Sequence, residues 1–444
     1  MWTYIKKEYF DYFIERYQFQ DYIDEIILFE TKDAYFLPRL FAENFPGNHL
    51  EVFNKKEELN PSQIDGMDFT GKLRDEQVPI VKKILDIYNK NGHVNGIIKA
   101  RPGLGKTVLS VYLAKELGMK TLIVVDNQNL MKQWIKAFLE FTNLTEQHIG
   151  VIQQKHFNID RPIIIAMAQT LLSKLKSNMQ TAFQSIDKGR IGVVIYDEVH
   201  ATSSAPVFAK ISLLFRTRNI IGLSATPFQT GAAEILMKNT VGDIVYETNQ
   251  YDLTPEYRLL YYKSDLSKKY INVLTHITDY LTRKSIYNKA IIGSEKYLNL
   301  IINETKKALA NKHKIIILCF TKNQVNTISD RLTDIGIENK KFYGEERTIE
   351  YNEDILVATY SFAGKGFDYK DLSCLILACP LAGKKSLIQV IGRILRSNEG
   401  KQKPLVIDLA DMTVPTFTIP EIKMKKKIVS NEFHCKIIEQ IIEV

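Results

Sequence analysis

Ala100-Arg101-Pro102-Gly103-Leu104-Gly105-Lys106-Thr107 is the stretch on which the fold turns. Ahead of it, Gly96-Ile97-Ile98-Lys99 reads as a short apolar strand. Behind it, Val108-Leu109-Ser110-Val111-Tyr112-Leu113-Ala114-Lys115 reads as the start of a helix. Strand, glycine turn and helix together are the context a phosphate cradle needs. Gly103 and Gly105 let backbone N–H groups converge on phosphate oxygens with no Cβ in the way, and a helix N-terminus adds partial positive charge. Lys106 adds a full charge, and the Thr107 hydroxyl can hold Mg²⁺. Ala100 stands where the usual pattern begins with glycine. By itself the stretch also fits an ordinary glycine turn.

The chain around it alternates helix and apolar strand from about residue 72 to 246. Strands are expected at 96–99, 121–125, 162–166, 192–196 and 219–223. Near-continuous apolar strands separated by helices imply a parallel sheet covered on both faces. A second alternating set is expected at 314–319, 354–358, 373–379 and 404–409. Residues 263–310 between the two sets are helical in pattern and carry no recognised chemistry. The fold class is therefore α/β, with two parallel-sheet domains in tandem at 66–248 and 249–444. A small α/β domain at 1–65 precedes them. In it, Tyr9, Phe13 and Tyr17 recur at helical spacing. Glu25 to Glu30, Thr31-Lys32-Asp33 and Ala34 to Pro38 read as a hairpin, with Tyr35-Phe36 expected at an exposed tip. Asn60-Pro61-Ser62 and Asp65-Gly66 are turn signals that mark a linker. At the other end, Ser430 followed by Phe433, Ile437, Ile438, Ile441 and Ile442 predicts a capped amphipathic helix.

The 444 residues are 45% hydrophobic and 25% charged, an ordinary globular composition. No apolar run approaches the length of a membrane span. The N-terminus, Met1-Trp2-Thr3-Tyr4-Ile5-Lys6-Lys7-Glu8, lacks the pattern of a signal peptide, so a cytoplasmic location is expected. Cys319, Cys374, Cys379 and Cys435 show no paired metal spacing and read as buried thiols. The net charge of +8 is uneven. Residues 1–65 hold 13 acidic and 7 basic side chains, which is −6 and leaves +14 on the remainder. A basic body suits a polyanion, although a solvated lysine-rich surface has the same composition.

Asp197-Glu198-Val199-His200 follows the strand ending at Tyr196. Acidic residues at the carboxyl end of a parallel strand lie in the crevice where ligands bind in open α/β sheets. Asp197 is placed to hold Mg²⁺, and Glu198 to orient and deprotonate an attacking water. An acidic turn at a strand end is also common in α/β proteins. Here the pair follows a phosphate loop by about ninety residues in the same expected sheet, as paired motifs require. Gln389, Arg393 and Arg396, at i, i+4 and i+7, fall on one face of an expected helix. Two guanidinium forks facing one target suit polyphosphate, and a basic face toward solvent or carboxylates is the alternative.

The ordered set of motifs from Leu73 to Arg396 resembles the superfamily 2 helicases and translocases. That resemblance implies two RecA-like domains with ATP between them, closing on ATP and opening after hydrolysis to ratchet along one strand. Lys72-Leu73-Arg74-Asp75-Glu76-Gln77 resembles the adenine-reading Q motif and implicates Gln77 and Arg74. Thr121 to Trp134 resembles the first strand-contact motif, implicating Gln128, with Asp126-Asn127 in place of the usual Pro-Thr. Ala168-Gln169-Thr170, Cys319-Phe320-Thr321, Ala358-Thr359 and Gly366-Phe367-Asp368 resemble the remaining motifs. They imply nucleic-acid contacts by Thr170, Thr321 and Thr359 and nucleotide contacts by Gly366 and Asp368. His200, Ser224 and Thr226 take the coupling role. The same resemblance implies that Lys106 contacts the β- and γ-phosphates, that Gln389 senses the γ-phosphate, and that Arg393 and Arg396 stabilise the leaving phosphate.

Leu223-Ser224-Ala225-Thr226-Pro227-Phe228, Val241 to Glu247 and Tyr35 to Arg39 are most similar to the XPB-type and phage recombination helicases. The resemblance implies an ATP- and Mg²⁺-dependent DNA helicase or branch-migration translocase. It would act, as a monomer, on forks, junctions and single strands without sequence preference. An RNA helicase, or a duplex translocase that separates no strands, would share these motifs. A non-enzymatic binding module would have no use for Lys106, Glu198, Arg393 and Arg396 together.

Overall fold

The computed structural model describes residues 3–10, 27–41, 53–55, 58–199, 205–225, 232–248, 251, 253–343, 353–360, 369–381, 383–396 and 398–443. It divides into two compact units, 1–248 and 249–444. Among the described residues no helix is long and apolar enough to cross a membrane.

The first unit begins with a small sheet of β1 (Thr3–Lys6), β2 (Phe29–Glu30), β3 (Ala34–Leu37) and β4 (Phe53–Lys55), in the order β2-β3-β1-β4. The expected hairpin is β2 and β3, antiparallel with Phe29 opposite Phe36. Its turn is 31–33, where Thr31 N bonds Ala34 O. Tyr35-Phe36 is therefore in the strand and not at an exposed tip. Phe36 is buried with Leu28 in the same apolar cluster as Phe208 and Leu236 of the main sheet layer. Tyr35 packs on Phe10, with ring centroids 4.4 Å apart. Of the expected 9, 13, 17 helix, residues 7–10 are helical, and Phe13 and Tyr17 lie outside the described residues. The segment after this sheet is tied down along its length. Leu59 N bonds Arg216 O, Ser62 N bonds Arg190 O and Ile64 N bonds Gly118 O.

The main sheet follows: α1 (Val78–Asn91), β5 (Asn95–Ala100), α2 (Lys106–Leu117), β6 (Thr121–Val125), α3 (Gln128–Phe141), β7 (Ile149–Gln153), β8 (His156–Phe157) and β9 (Ile163–Met167). Then come α4 (Ala168–Ser177), α5 (Met179–Asp187), β10 (Val193–Tyr196), α6 (Ala205–Ser212), β11 (Asn219–Ser224), α7 (Ala232–Thr240) and β12 (Ile244–Thr248). Strand order is β12-β5-β11-β10-β6-β9-β7-β8, parallel except for β7 with β8. β6, β10 and β11 are buried along their whole length, because helices cover both faces. The register aligns Lys99 with Ser224, and Tyr196 with Val124 and Gly222. The ends of β5, β10 and β11 thus share one edge.

The second unit contains β13 (Glu256–Tyr262), α8 (Lys268–His276), α9 (Tyr280–Ala290), α10 (Glu295–Ala310), β14 (Lys314–Cys319), α11 (Lys322–Asp334), β15 (Lys340–Phe342) and β16 (Ile355–Thr359). It ends with β17 (Leu372–Leu377), α12 (Lys384–Ile394), β18 (Leu405–Asp411), α13 (Pro415–Phe433) and β19 (Ile437–Ile441). All seven strands run parallel, in the order β15-β16-β14-β17-β18-β13-β19. The four cysteines are buried. A buried ion triad braces this unit: Lys425 on α13 reaches Asp408 at 2.8 Å and Glu421 at 2.7 Å. Glu421 also accepts from Leu381 N, which fixes the segment leading into α12.

The tail departs from expectation. Ser430 lies inside α13, which ends where His434 takes the left-handed conformation at φ 49°. Ile437 to Ile441 is a strand paired with β13, not a helix. The i, i+1, i+4, i+5 spacing of its isoleucines fits a helix face. The free edge of β13 offers backbone partners that the periodicity does not encode.

Candidate active site

β5 ends at Ala100, whose side chain is buried in the core under α2. The chain then turns through Gly103 and Gly105, with φ of 87° and 83°. Both lie in the left-handed region that glycine enters without strain. Gly105 is the N-cap of α2 and supplies no side-chain cap, so the first N–H groups of the helix point into the loop. A Cβ on Gly105 would stand 2.6 Å from Gln77 Nε2.

Gln77 is buried and spends its amide on this loop. Its Nε2 donates to Leu104 O at 2.9 Å and Gly105 O at 3.1 Å, and its Oε1 accepts from Arg74 N at 2.8 Å. Arg74 Nη1 donates to Gly103 O at 3.1 Å. Arg101, also buried, pairs with Glu76 at 2.6 Å. The 74–77 segment thus braces the loop from three residues. Lys106 Nζ donates to Ala100 O at 3.1 Å, and Thr107 follows it as the second residue of α2.

Asp197 and Glu198 follow β10 on the same edge. Asp197 N bonds Val124 O and Val199 N bonds Leu223 O, so the turn is pinned by the strands on either side. Glu198 sits at φ 56°, a conformation uncommon for a residue with a Cβ and often found at functional sites. Asp197 is buried and accepts from Trp134 Nε1 at 2.7 Å. Burial, and next the charge of Glu198, push its carboxyl up to about 7; the Trp134 hydrogen bond and Lys106 act against that rise. Ser224, the buried last residue of β11, lies on this edge as well. His200 and Thr226 lie outside the described residues, as do Gly366 and Asp368.

Gln128 is exposed at the start of α3, where Asn127 caps the helix by accepting from Leu130 N at 2.9 Å. Asn127 therefore serves the helix end that the departure from Pro-Thr left open. Thr170 Oγ1 accepts from Gln154 N at 3.1 Å. In the second unit Thr321 caps α11, and Thr359 ends β16 beside it, opposite Cys319. Gln389 and Arg393 both lie on α12. The helix ends at Ile394, so Arg396 stands beyond it and the expected i+7 alignment on one face does not hold. Lys401 supports that turn, donating to Arg396 O at 2.7 Å and Lys370 O at 3.0 Å. Burial and the Arg396 charge bring its ammonium down to about 8.

Residues 70–229 match the family model described as Type III restriction enzyme, res subunit. Probable helicase D10 of Escherichia phage T5 is 27% identical over 393 residues, a match spanning 85% of this chain and 80% of that protein. The DNA 3'-5' helicase XPB of Mycobacterium tuberculosis is 28% identical over 159 residues, 36% of this chain and 28% of that protein. The chain is an ATP-hydrolysing helicase. Both units of this helicase are RecA-like. The solved ATP-dependent Type ISP restriction-modification enzyme LlaBIII bound to DNA superposes with a TM-score of 0.57 at 14% identity, over 89% of this chain and 32% of that one. With its helicase relatives the chain shares hydrolysis of ATP and action on nucleic acid.

Three side chains at the site of this helicase were not singled out from sequence: Trp134, Glu76 and Arg101. Trp134 closes the strand-contact motif and is one of only two tryptophans in the chain, which was the available signal. Nothing local marks the pairing of Glu76 with Arg101.

Proposed function

We propose that this helicase works on DNA, unwinding or branch-migrating forks and junctions in replication, recombination or repair. One observation carries the reading of its catalytic centre. Lys106, Asp197 and Glu198 meet at the carboxyl edge of one parallel sheet, with Asp197 buried. DNA as the substrate is supported by the relative whose name is a DNA helicase and by the +14 charge outside residues 1–65. The phage relative supports action in a bacterial host's cytoplasm.

The residues present fit ATP with Mg²⁺. The glycine turn leaves its N–H groups unspent by any side-chain cap, and a desolvated carboxylate beside a second acid needs a cation. Among the described residues no three His, Cys, Asp or Glu side chains gather as a metal cage. Thr107 and Asp197 would hold the cation, and bound Mg²⁺ would neutralise charge on the phosphate oxygens. Gly103 and Gly105 cradle the phosphates, and Lys106 contacts the β- and γ-oxygens. Glu198 orients the attacking water and takes its proton. Gln77 and Arg74 serve the adenine end, and Gly366 and Asp368 add nucleotide contacts. Gln389 senses the γ-phosphate, while Arg393 and Arg396 stabilise charge on the leaving phosphate. Gln128, Thr170, Thr321 and Thr359 contact the strand through its phosphates, so binding is sequence-tolerant. His200, Ser224 and Thr226 couple the two events.

The test is ATP hydrolysis and unwinding measured side by side on DNA single strands, duplexes, forks and four-way junctions, with RNA equivalents in parallel. Stimulation and unwinding on forked or branched DNA above all other substrates is the expected result. Equal or greater activity on RNA contradicts the DNA assignment. Hydrolysis without any strand separation contradicts unwinding.

A further inference from the structure

Lys284 on α9 is 4% exposed, and among the described residues its ammonium pairs with no carboxylate. Nζ lies 4.7 Å from the centroid of the Phe320 ring and 5.3 Å from that of Tyr360. The two rings stack 6.1 Å apart and within 4° of parallel. Phe320 follows the end of β14 and Tyr360 the end of β16, neighbouring parallel strands with Cys319 opposite Thr359. The cluster therefore stands at the carboxyl edge of the second sheet, between Thr321 and Thr359. Phe320, Thr321 and Tyr360 are each half-buried, so the cluster reaches the surface.

The arrangement is built. Gln324 Oε1 accepts from Phe320 N at 2.9 Å and Thr321 N at 3.2 Å, and its Nε2 donates to Asn288 Oδ1 at 3.1 Å. Asn288 Nδ2 in turn donates to Lys284 O at 2.8 Å. One buried amide thus locks α9 to the Phe320–Thr321 turn. Thr321 Oγ1 accepts from Gln324 N, which leaves its hydroxyl proton to donate elsewhere.

A buried ammonium normally has an anion, because desolvating an unpaired charge is costly. Two ring faces return only part of that cost. Burial lowers the Lys284 pKa, with Cys379 and Glu421 opposing and Lys425 reinforcing that shift. Glu421 is already engaged by Lys425 and Leu381 N. Among the described residues Lys284 Nζ has no ion pair and no hydrogen bond.

We propose that Lys284 is a strand-contact residue whose missing anion is a backbone phosphate of single-stranded nucleic acid, taken with the Thr321 hydroxyl beside it. The proposal rests on the strand-binding role assigned to Thr321 and Thr359. It gives α9, which carries no recognised motif, a place in the nucleic-acid interface.

The experiment is binding of a labelled oligothymidylate to the full chain over a range of salt, with a thermal melt of each variant. Wild type should bind with an affinity that falls linearly in log salt. Lys284→Met should weaken binding roughly tenfold at low salt and reduce the slope by about 0.7, the loss of one single-strand phosphate contact. Lys284→Arg should keep the slope. Phe320→Leu, which removes a ring face but not the charge, should lower the melting temperature and keep the slope. Lys284→Gln replaces the methionine variant if that one does not fold. An unchanged slope in a folded Lys284 variant overturns the proposal and leaves the lysine a structural clip. An equal reduction of the slope in Phe320→Leu overturns it as well. No binding by wild type would instead overturn the strand-binding reading on which the proposal stands.

Discussion

Trp134 donates its indole N–H to Asp197 Oδ2 at 2.7 Å, and both side chains are buried. Trp134 belongs to α3, the helix that begins at Gln128. A residue of the strand-contact motif therefore holds the acid assigned to Mg²⁺. Its hydrogen bond favours the charged carboxylate, against the burial that pushes Asp197 up to about 7. Trp134→Phe should raise that value further. The acid limb of the ATPase pH profile should move to higher pH, and more Mg²⁺ should be needed for half-maximal rate. Stability should fall by about 1–3 kcal/mol, the cost of a buried acceptor left without its donor. An acid limb that stays in place contradicts this account.

Asp197 should also make the nucleotide-free protein less stable at alkaline pH. Its folded value of about 7 exceeds its ordinary 3.8, so between the two the folded chain binds more protons than the unfolded one. Stability contributed by this group is present below the lower value and is lost as pH rises through the upper one. Asp197→Asn should therefore melt higher than wild type at about pH 8, and the gap should shrink toward about pH 4. Melting curves without nucleotide across that range decide it. A gap independent of pH would show that Asp197 is not the titrating group.

Lys106→Ala should abolish hydrolysis, because the cationic phosphate contact is lost. Glu198→Gln should behave differently: ATP still binds, but no base activates the water, and a stable nucleotide complex accumulates. Filter binding and phosphate release, measured on both variants, separate the two roles. Near-normal turnover by Glu198→Gln would remove it as the base.

Arg393→Ala and Arg396→Ala should each cut turnover while leaving ATP binding nearly intact. Arginines that act on the leaving phosphate contribute on the order of 10³–10⁵ in rate in related phosphoryl transfer. Arg396 stands outside α12, so the two substitutions need not be equal. Lost ATP affinity with normal turnover at saturation would reassign both to binding.

The acidic N-terminal segment makes its prediction through packing. Phe36 and Leu28 complete an apolar cluster with Phe208 and Leu236. Phe36→Ala should cost about 3 kcal/mol, as truncation of a buried aromatic does. It should lower the melting temperature and ATP hydrolysis together. A variant of normal stability that fails only on forks would instead make the segment a strand-separating device.

Much of the sheet framework was legible because parallel strands buried on both faces are nearly continuous apolar runs. Thr121–Val125 and Val193–Tyr196 are of this kind. β13 was not legible, since Glu256–Tyr262 mixes aromatics, two charged residues and apolar residues without a clean period. Arg396 shows the limit of helical spacing: i+7 predicts a face only while the helix continues, and α12 stops two residues earlier. Tyr35-Phe36 shows the limit of reading a hairpin: the turn at 31–33 was legible, but which face of the strand turns inward was set by the layer beneath.

The sequence alone determined the glycine turn between strand and helix, the acidic pair at a strand end and the order of the motifs, because each is written in neighbouring residues. Tertiary structure decided what those residues touch. Gln77 lies on the phosphate loop 27 and 28 residues away, Trp134 on Asp197 63 residues away, and Lys284 over two rings from separate strands. Periodicity encodes which face of an element is buried, while side-chain partners depend on how elements pack, and one sequence carries no local record of that.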